Sequence, residues 1–347
     1  MMRALRWYGP GDVRVEECDK PVVLDPGDAI VKVTTAAVCG SDLHLFHGRV
    51  PKVRPGTVVG HEFCGVVESV GNGVRRVAPG TRCLSSMLTA CGQCPACLKG
   101  DHLSCEHYAV FGYGEMFGGL DGAQAEYVRV PMADVTLSPV PDHLDDEDVL
   151  FVGDILATAY TGCVAARIEH GDTVAVVGAG PVGQLAAECA PLFGAGQVFS
   201  IDLVPERLRE AAEIGAIPID AREGDPARQL SALNGGRRAD VVIEAVGNAA
   251  ALETAWQLAA TGGRLSLVGF LSEEPFPQSA GRTWMRGLDV ATVVGQPIRH
   301  RHALTRLIEA RRLRPRRLIS DRVGLDEVPE AYVRMDRREV TKVIVKL

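Results

Sequence analysis

The sequence predicts an α/β fold in two parts, an irregular β-barrel-like domain and a doubly wound parallel sheet. Three observations carry that reading. Short β-type segments cut by Gly and Pro fill the first 150 residues, strand, glycine turn and helix alternate from residue 172, and the tail 341–347 returns to strand-like alternation. A chain of 347 residues, 46% hydrophobic and 23% charged, is long enough for two cores.

The elements follow in order. "AIVKVTTAAV" (29–38), "GVVESVG" (65–71) and "AEYVRVP" (125–131) are rich in β-branched residues and bounded by turn formers, the pattern of a β domain. From 172, "DTVAVV" leads through "GAGPVG" and the helical "QLAAECAPLFGA" to "QVFSID"; "ADVVIEAVG" (239–247) and "GRLSLVGF" (263–270) follow later. Strands this apolar belong in a parallel sheet covered on both faces. "GLDVATVVG" (287–295) reads as a strand at the sheet edge, and "TKVIVKL" (341–347) as a strand returning to the first domain. The expected division is therefore 1–155, joined by 294–347, and 156–293. The run 299–317 holds eight arginines among Leu304, Leu307, Ile308 and Leu313 and reads as a solvated helix face.

Composition excludes several classes. A formal net charge of −7 argues against general affinity for nucleic acid. There is no continuous apolar run of about 18 residues, so no membrane span is expected. The opening "MMRALRWYGPGD" reaches a Gly-Pro-Gly turn before any apolar run of signal-peptide length, and a cytoplasmic protein is expected.

That expectation bears on the cysteines. Cys91, Cys94, Cys97 and Cys105 follow C-x2-C-x2-C-x7-C. In a reducing compartment clustered thiols bind metal or do redox work more often than they cross-link. A redox pair needs one C-x-x-C. Four thiolates close a tetrahedral shell, which makes the site structural zinc, because catalytic zinc keeps an open position. A reduced, metal-free loop is the alternative.

"GAGPVG" places Gly178, Gly180 and Gly183 in G-x-G-x-x-G spacing around Pro181 and Val182, between a strand and a helix. The glycines make the turn, admit a pyrophosphate and allow close helix packing, while the helix N-terminus offers N–H groups to phosphate. This is the dinucleotide loop of a Rossmann sheet. Asp202 ends the next strand, 19 residues after Gly183. A carboxylate there suits a ribose diol and repels a 2′-phosphate, favouring NAD over NADP. Arg207, five residues on, pulls the other way.

"VCGSDLHLFHG" (38–48) and "VGHEFCG" (59–65) hold Cys39, Ser41, Asp42, His44, His61 and Glu62, and Asp154 interrupts the apolar "FVGDILATAY". A lone Cys or His is ordinary packing, but an unpaired carboxylate in an apolar run is costly. Cys, His and Asp together make a three-ligand set with one open position, the catalytic arrangement for zinc.

In this order the motifs C-G-S-D-x-H, G-H-E-x-x-G, the four-cysteine lobe, the aspartate and G-x-G-x-x-G resemble the zinc-containing medium-chain alcohol dehydrogenases over nearly the whole chain. The resemblance implies a GroES-like catalytic domain beside a Rossmann domain, two zinc ions per chain and NAD. It implies that Cys39, His61 and Asp154 hold catalytic zinc, with Asp154 where many relatives have a second cysteine. Glu62 sits behind that metal and replaces water on it transiently, and Asp42 orients His61. Ser41 and His44 form a proton relay. Thr158 lies near the nicotinamide, Arg207 near the adenosine ribose, Lys342 near the pyrophosphate, and Val268 joins the cofactor-binding residues. A homotetramer or homodimer pairing through 287–295 is also implied.

The substrate is then a small alcohol, primary or secondary, giving an aldehyde or ketone. Polyol, sugar or amino-acid alcohol dehydrogenases and formaldehyde-type enzymes share every motif and stay as alternatives. Met87, Tyr113 and Phe117 read equally as an apolar pocket or as plain packing. His47, His102, His107 and His143 read as surface or loop residues, and Cys18, Cys64, Cys83, Cys163 and Cys189 as buried packing.

Overall fold

The computed structural model describes residues 1–269 and 280–347. They form two compact units, Met1–Asp154 with Gln296–Leu347, and Ile155–Gly295. The divisions fall one and two residues from the positions read in the sequence.

The first unit is built on the strand Ala29–Val38, whose β-branched and small residues are almost all buried. It pairs antiparallel with Glu62–Val70, Ala37 opposite Glu62, and with Val343–Lys346, Val343 opposite Val38. Breaks in register at Ile30/Val31 and Val33/Thr35 bend it, as bulges do. The sheet runs Leu137–Pro139, Arg82–Ser85, Glu62–Val70, Ala29–Val38, Val343–Lys346, Asp321–Gly324, with Tyr127–Val130 also on Ala29–Val38. A three-stranded sheet and a two-stranded ribbon complete the irregular β domain. Val31, Val33, Ala36, Phe63, Val67 and Val345 pack between these layers.

This register positions the chemistry. Cys39 directly follows one strand, His61 directly precedes its neighbour, and Lys342 directly precedes the strand on the other side. Three residues from distant sequence emerge at one end of a sheet.

The helix of the arginine run spans Pro297–Glu309 and stops sooner than its apolar spacing suggests. Arg311 takes a left-handed φ of 55°, which ends the helix before Leu313. Nor is the run uniformly solvated. Arg301 is buried and donates to the carbonyls of Val135 at 2.6 Å and Leu137 at 3.1 Å. Burial, assisted by Arg76, pulls its pKa down to about 10.

The second unit is a six-stranded sheet, parallel throughout, in the order Ile217–Asp220, Gln197–Asp202, Thr173–Val177, Ala239–Glu244, Ala259–Leu267, Asp289–Thr292. In chain order this is 3-2-1-4-5-6, the doubly wound dinucleotide topology. Ala175, Val177, Phe199, Ile201, Val242 and Leu265 form its core. The fifth strand begins at Ala259, four residues before the stretch read as strand, and its register shifts between Ala259, opposite Ala239, and Arg264, opposite Val241. Glycines at 262 and 263 masked that start in the sequence, and Phe270 lies outside the described residues. Among the described residues no single helix is long and apolar enough to cross a membrane.

Candidate active site

The cysteine lobe closes on itself. Cys91, Cys94, Cys97 and Cys105 present their sulfurs within 4.8 Å of one another. Cys91 Sγ and Cys97 Sγ lie 4.0 Å apart, close to the ~3.8 Å that tetrahedral zinc with bonds of about 2.3 Å requires. Backbone N–H groups point at the sulfurs: Cys91 and His107 donate to Cys105, and Cys94 donates to Cys91. The Cys97 N–H, aided by the Cys97 and Cys91 side chains, holds the Cys94 thiol down at about 6. A loop that stabilises thiolate and has no open corner fits a structural zinc.

The second cluster is assembled by the sheet. Cys39, His61 and Asp154 are all buried, with donor atoms within 4.8 Å of one another. His61 Nε2 is 3.2 Å from Asp154 Oδ2, and Cys39 Sγ is 3.4 Å from the same oxygen. Tetrahedral zinc needs about 3.3 Å between N and O ligands and about 3.5 Å between S and O. The donor set and spacing fit the metal, and among the described residues no fourth donor joins them.

Burial works against charge here, and the neighbours decide the outcome. Burial would lower His61, but Asp42 and hydrogen bonding to Asp154 raise it well above 6.5. Burial would raise Asp154, yet His61 holds it at about 2. Burial lifts the Cys39 thiol, with Asp154 adding to the rise. The carboxylates of Asp42 and Asp154 thus outweigh burial at His61, and the three groups favour a positive charge among them.

Around them lie the other expected residues. Ser41 Oγ is 3.3 Å from His61 Nε2, at the edge of the cluster. His44 lies on the short helix Asp42–Phe46, half-buried, and burial with Arg49 and His47 lowers its pKa. Glu62 is fully buried, but the metal-type donors number three without it. Its Oε2 accepts from Lys342 Nζ at 2.5 Å, while Oε1 finds no hydrogen-bond partner among the described residues. Lys342 is 1% exposed, and its ammonium also lies 5.2 Å from the Phe151 ring centre. The partner found for Lys342 is thus the carboxylate next in sequence to the donor His61, which its place in the sequence did not signal. Tyr113 stacks edge-on to His61 at 5.8 Å and Phe117 edge-on to Tyr113 at 5.2 Å, an apolar wall beside the cluster.

In the second unit the glycine loop joins Thr173–Val177 to the helix Pro181–Cys189. Gly183 is required by contact: a Cβ there would sit 1.7 Å from the Gly178 carbonyl. Gly180 is the N-cap and brings no capping side chain, and Pro181 starts the helix with Val182 behind it. Asp202 Oδ2 accepts from the Ala179 N–H at 2.6 Å, tying the loop to the second strand, and Arg207 Nη1 stands 4.0 Å from the same oxygen. Thr158 lies in the helix Ile155–Ala165, and Val268 follows the fifth strand, its N–H on the Glu244 carbonyl.

Some side chains went unnoticed in the sequence. Glu244, at the end of the fourth strand, is fully buried and accepts from the N–H groups of Val246 and Gly247. Gln124 and Tyr332 are buried beside Asp42. A polar residue inside "GAQAEY" was the available signal for Gln124. Among those set aside, His102 is buried rather than exposed, and Cys18 is half-buried rather than core. Cys64 faces the Asp146 carbonyl, and no ligand position falls to it.

Comparison with known proteins agrees with this geometry. Residues 25–142 match the model of the alcohol dehydrogenase GroES-like domain, and residues 181–310 that of zinc-binding dehydrogenases. The chain is 35% identical over 332 residues to a probable zinc-binding alcohol dehydrogenase of Mycobacterium tuberculosis, covering 95% of this chain and 84% of that protein. It spans 62% of a zinc-type alcohol dehydrogenase-like protein of Schizosaccharomyces pombe. Among solved structures, the alcohol dehydrogenase TADH from Thermus sp. ATN1 superposes with a TM-score of 0.94 at 42% identity, covering 99% of each chain. A zinc-binding dehydrogenase from Sinorhizobium meliloti, bound to NADP, gives 0.88 at 32% identity, covering 100% of this chain and 99% of that one.

Proposed function

This chain belongs to the zinc-containing medium-chain dehydrogenase/reductase family, and on that premise we propose that it oxidises a small alcohol to an aldehyde or ketone with NAD. The carrying observation is the buried triad of Cys39, His61 and Asp154, three donors at zinc spacing, which leaves a fourth tetrahedral position for substrate. Zinc held by them supplies the Lewis acidity that lets an alcohol oxygen lose its proton at neutral pH, and NAD supplies the hydride acceptor.

The chain's own residues do the rest. Ser41, at His61 Nε2, takes the proton from the reacting oxygen and passes it on. His44 hands it to solvent, and its lowered pKa keeps the ring neutral and ready to accept. Tyr113 and Phe117 give the substrate an apolar wall, which favours an aliphatic or aromatic alcohol over a polyol. In the second unit the loop from Gly178 to Gly183 cradles the pyrophosphate, with Thr158 and Val268 toward the nicotinamide. Asp202 takes the ribose diol, and Arg207 beside it is the residue that would tolerate a 2′-phosphate.

The test is steady-state reduction of NAD and NADP over a panel of primary, secondary, aromatic and polyol substrates. A higher kcat/KM with NAD, and with apolar alcohols, is expected. Better turnover with NADP would reject the cofactor assignment, and better turnover of polyols the substrate class. Asp202→Ala should narrow the ratio between cofactors.

The same reading includes a homotetramer or homodimer in the cytoplasm. Asp289–Thr292 ends the six-stranded sheet, and Trp284 and Met285 shortly before it are 83% and 79% exposed. A strand that ends the sheet among the described residues, beside exposed apolar side chains, suits pairing with a second copy. None of the ten cysteines is in a disulfide, which suits a reducing compartment. Sedimentation showing a stable, active monomer would contradict the assembly.

A further inference from the structure

The imidazole of His61 has two nitrogens, and the one turned from the donor cluster has a weakly aimed partner. His61 Nδ1 lies 3.2 Å from Asp42 Oδ1, at ion-pair distance but off hydrogen-bond geometry. What keeps the Asp42 carboxylate facing the ring is therefore its other oxygen. Asp42 Oδ2 accepts from the Cys39 N–H at 2.9 Å and from Gln124 Nε2 at 3.3 Å.

Gln124 is itself fixed from every side. Its side chain is fully buried, Nε2 also donates to the Ala37 carbonyl at 3.0 Å, and Oε1 accepts from the Tyr332 hydroxyl at 2.9 Å. The amide cannot be reversed. A flip would set Oε1 against a carbonyl and a carboxylate, neither of which carries a proton to donate. Its backbone is held too, with the N–H on the Val59 carbonyl and the carbonyl on the Leu5 N–H. Room for the side chain comes from Gly60, next to His61. A Cβ there would sit 2.5 Å from Gln124 Cγ, and its φ of +95° is one that glycine tolerates. Tyr332 is fully buried on the helix Val328–Asp336 and stacks on Phe46 at 5.6 Å.

We infer that Gln124 and Tyr332 are positioning residues for the metal-ligating face of His61, acting through Asp42. Tyr332 orients Gln124, Gln124 sets the rotation of the Asp42 carboxylate, and Asp42 sets the ring. The inference rests on zinc being held by Cys39, His61 and Asp154. Groups that orient a ligating histidine from outside typically change metal affinity about 10–100-fold when removed.

The experiment follows zinc release from the full-length, zinc-loaded protein to a chelating dye. Two phases are expected, one from each cluster, and the phase lost in Cys39→Ser belongs to the Cys39 site. If Cys39→Ser loses no phase, the site assignment fails before this inference is reached. Gln124→Glu keeps the size of the side chain and replaces donors by acceptors. It should speed the Cys39-site phase about tenfold or more and leave the phase of the four cysteines unchanged. Tyr332→Phe removes one oxygen and should speed the same phase by a smaller factor. The cobalt-substituted protein gives a second readout, since tilting the ring shifts the visible absorption of cobalt at that site. If Gln124→Glu does not fold, Tyr332→Phe carries the test. Release within twofold of the parent in the folded variants, or equal acceleration of both phases, overturns the inference.

Discussion

Cys91, Cys94, Cys97 and Cys105 meet because they are neighbours within one loop, Cys91 and Cys105 being 14 residues apart. Cys39, His61 and Asp154 meet because a sheet brings them together, Cys39 and Asp154 being 115 residues apart. The first cluster needs the chain only to turn, so zinc bound there would stabilise the loop that holds it. The second needs the register of Ala29–Val38 against Glu62–Val70 to set Cys39 beside His61, and Val343–Lys346 on the other side to bring Lys342 to Glu62. One is a staple and the other a product of the fold.

The sharpest way to break this comparison is to remove one cysteine from each cluster. Cys39→Ser should keep the fold and lose turnover by roughly 10²–10³-fold or more, with zinc per chain falling from two to one. Cys94→Ser should also lose one zinc, but its main effect should be a lower Tm, with activity surviving at temperatures where the variant stays folded. Elemental analysis, thermal melts and initial rates on both variants decide it. An unchanged melt in Cys94→Ser, or an unfolded Cys39→Ser, would erase the distinction.

The two clusters also differ in how far they could be read. The lobe was legible in full, since spacing alone places its four sulfurs. The glycine loop was legible because strand, turn and helix are consecutive, and Asp154 because a carboxylate inside an apolar run needs a reason. Other features depend on pairings the chain makes at long range. Lys342 reaches Glu62 across 280 residues and Tyr332 reaches Gln124 across 208. No local pattern announces them, because register and packing choose their partners. Arg301 misleads in the same way: its sequence neighbours are solvated arginines, while its own side chain turns inward to two carbonyls.

The next prediction sharpens the claim that the second cluster depends on the returning strand. Lys342 and Glu62 are 2% and 0% exposed at the side chain, and removing one partner of a buried pair costs about 3–5 kcal/mol. Burial, partly offset by Lys342, already raises Glu62 to about 7, so the carboxyl can take up a proton and limit the loss. Lys342→Met should therefore cost about 3 kcal/mol at pH 7, by chemical denaturation. The sign with pH is definite. A carboxyl whose folded pKa is raised loses stability as pH rises above its unfolded value of about 4.5, so the penalty should grow from acid to alkaline conditions. Glu62→Gln together with Lys342→Met should recover part of it. A pH-independent penalty would mean that packing of the long side chain, rather than the pair, was lost.

The smallest effect concerns the proposed proton path, which would lead out from the assembled cluster and would have no counterpart in the closed lobe. Ser41→Ala removes the hydroxyl at His61 Nε2 and should slow alcohol oxidation about 10²-fold, the lower range for direct proton transfer. His44→Gln should cost on the order of tenfold, less than that range, because solvent can replace an outer relay member. Burial, with the charges of Arg49 and His47, lowers the His44 pKa, so the ring loses its capacity to accept a proton only below about 6.5. Oxidation by the parent protein should accordingly hold level through neutral pH and fall on the acid side, and His44→Gln should remove that fall. Added imidazole should restore part of the rate in His44→Gln and little in Ser41→Ala, since a small base can stand in for the outer group but not for a hydroxyl held at the reacting oxygen. If His44 is only a loop residue, kcat will keep its pH profile in the variant and KM for NAD alone will move. That outcome would leave the open cluster with zinc and hydride chemistry but without a relay through this helix.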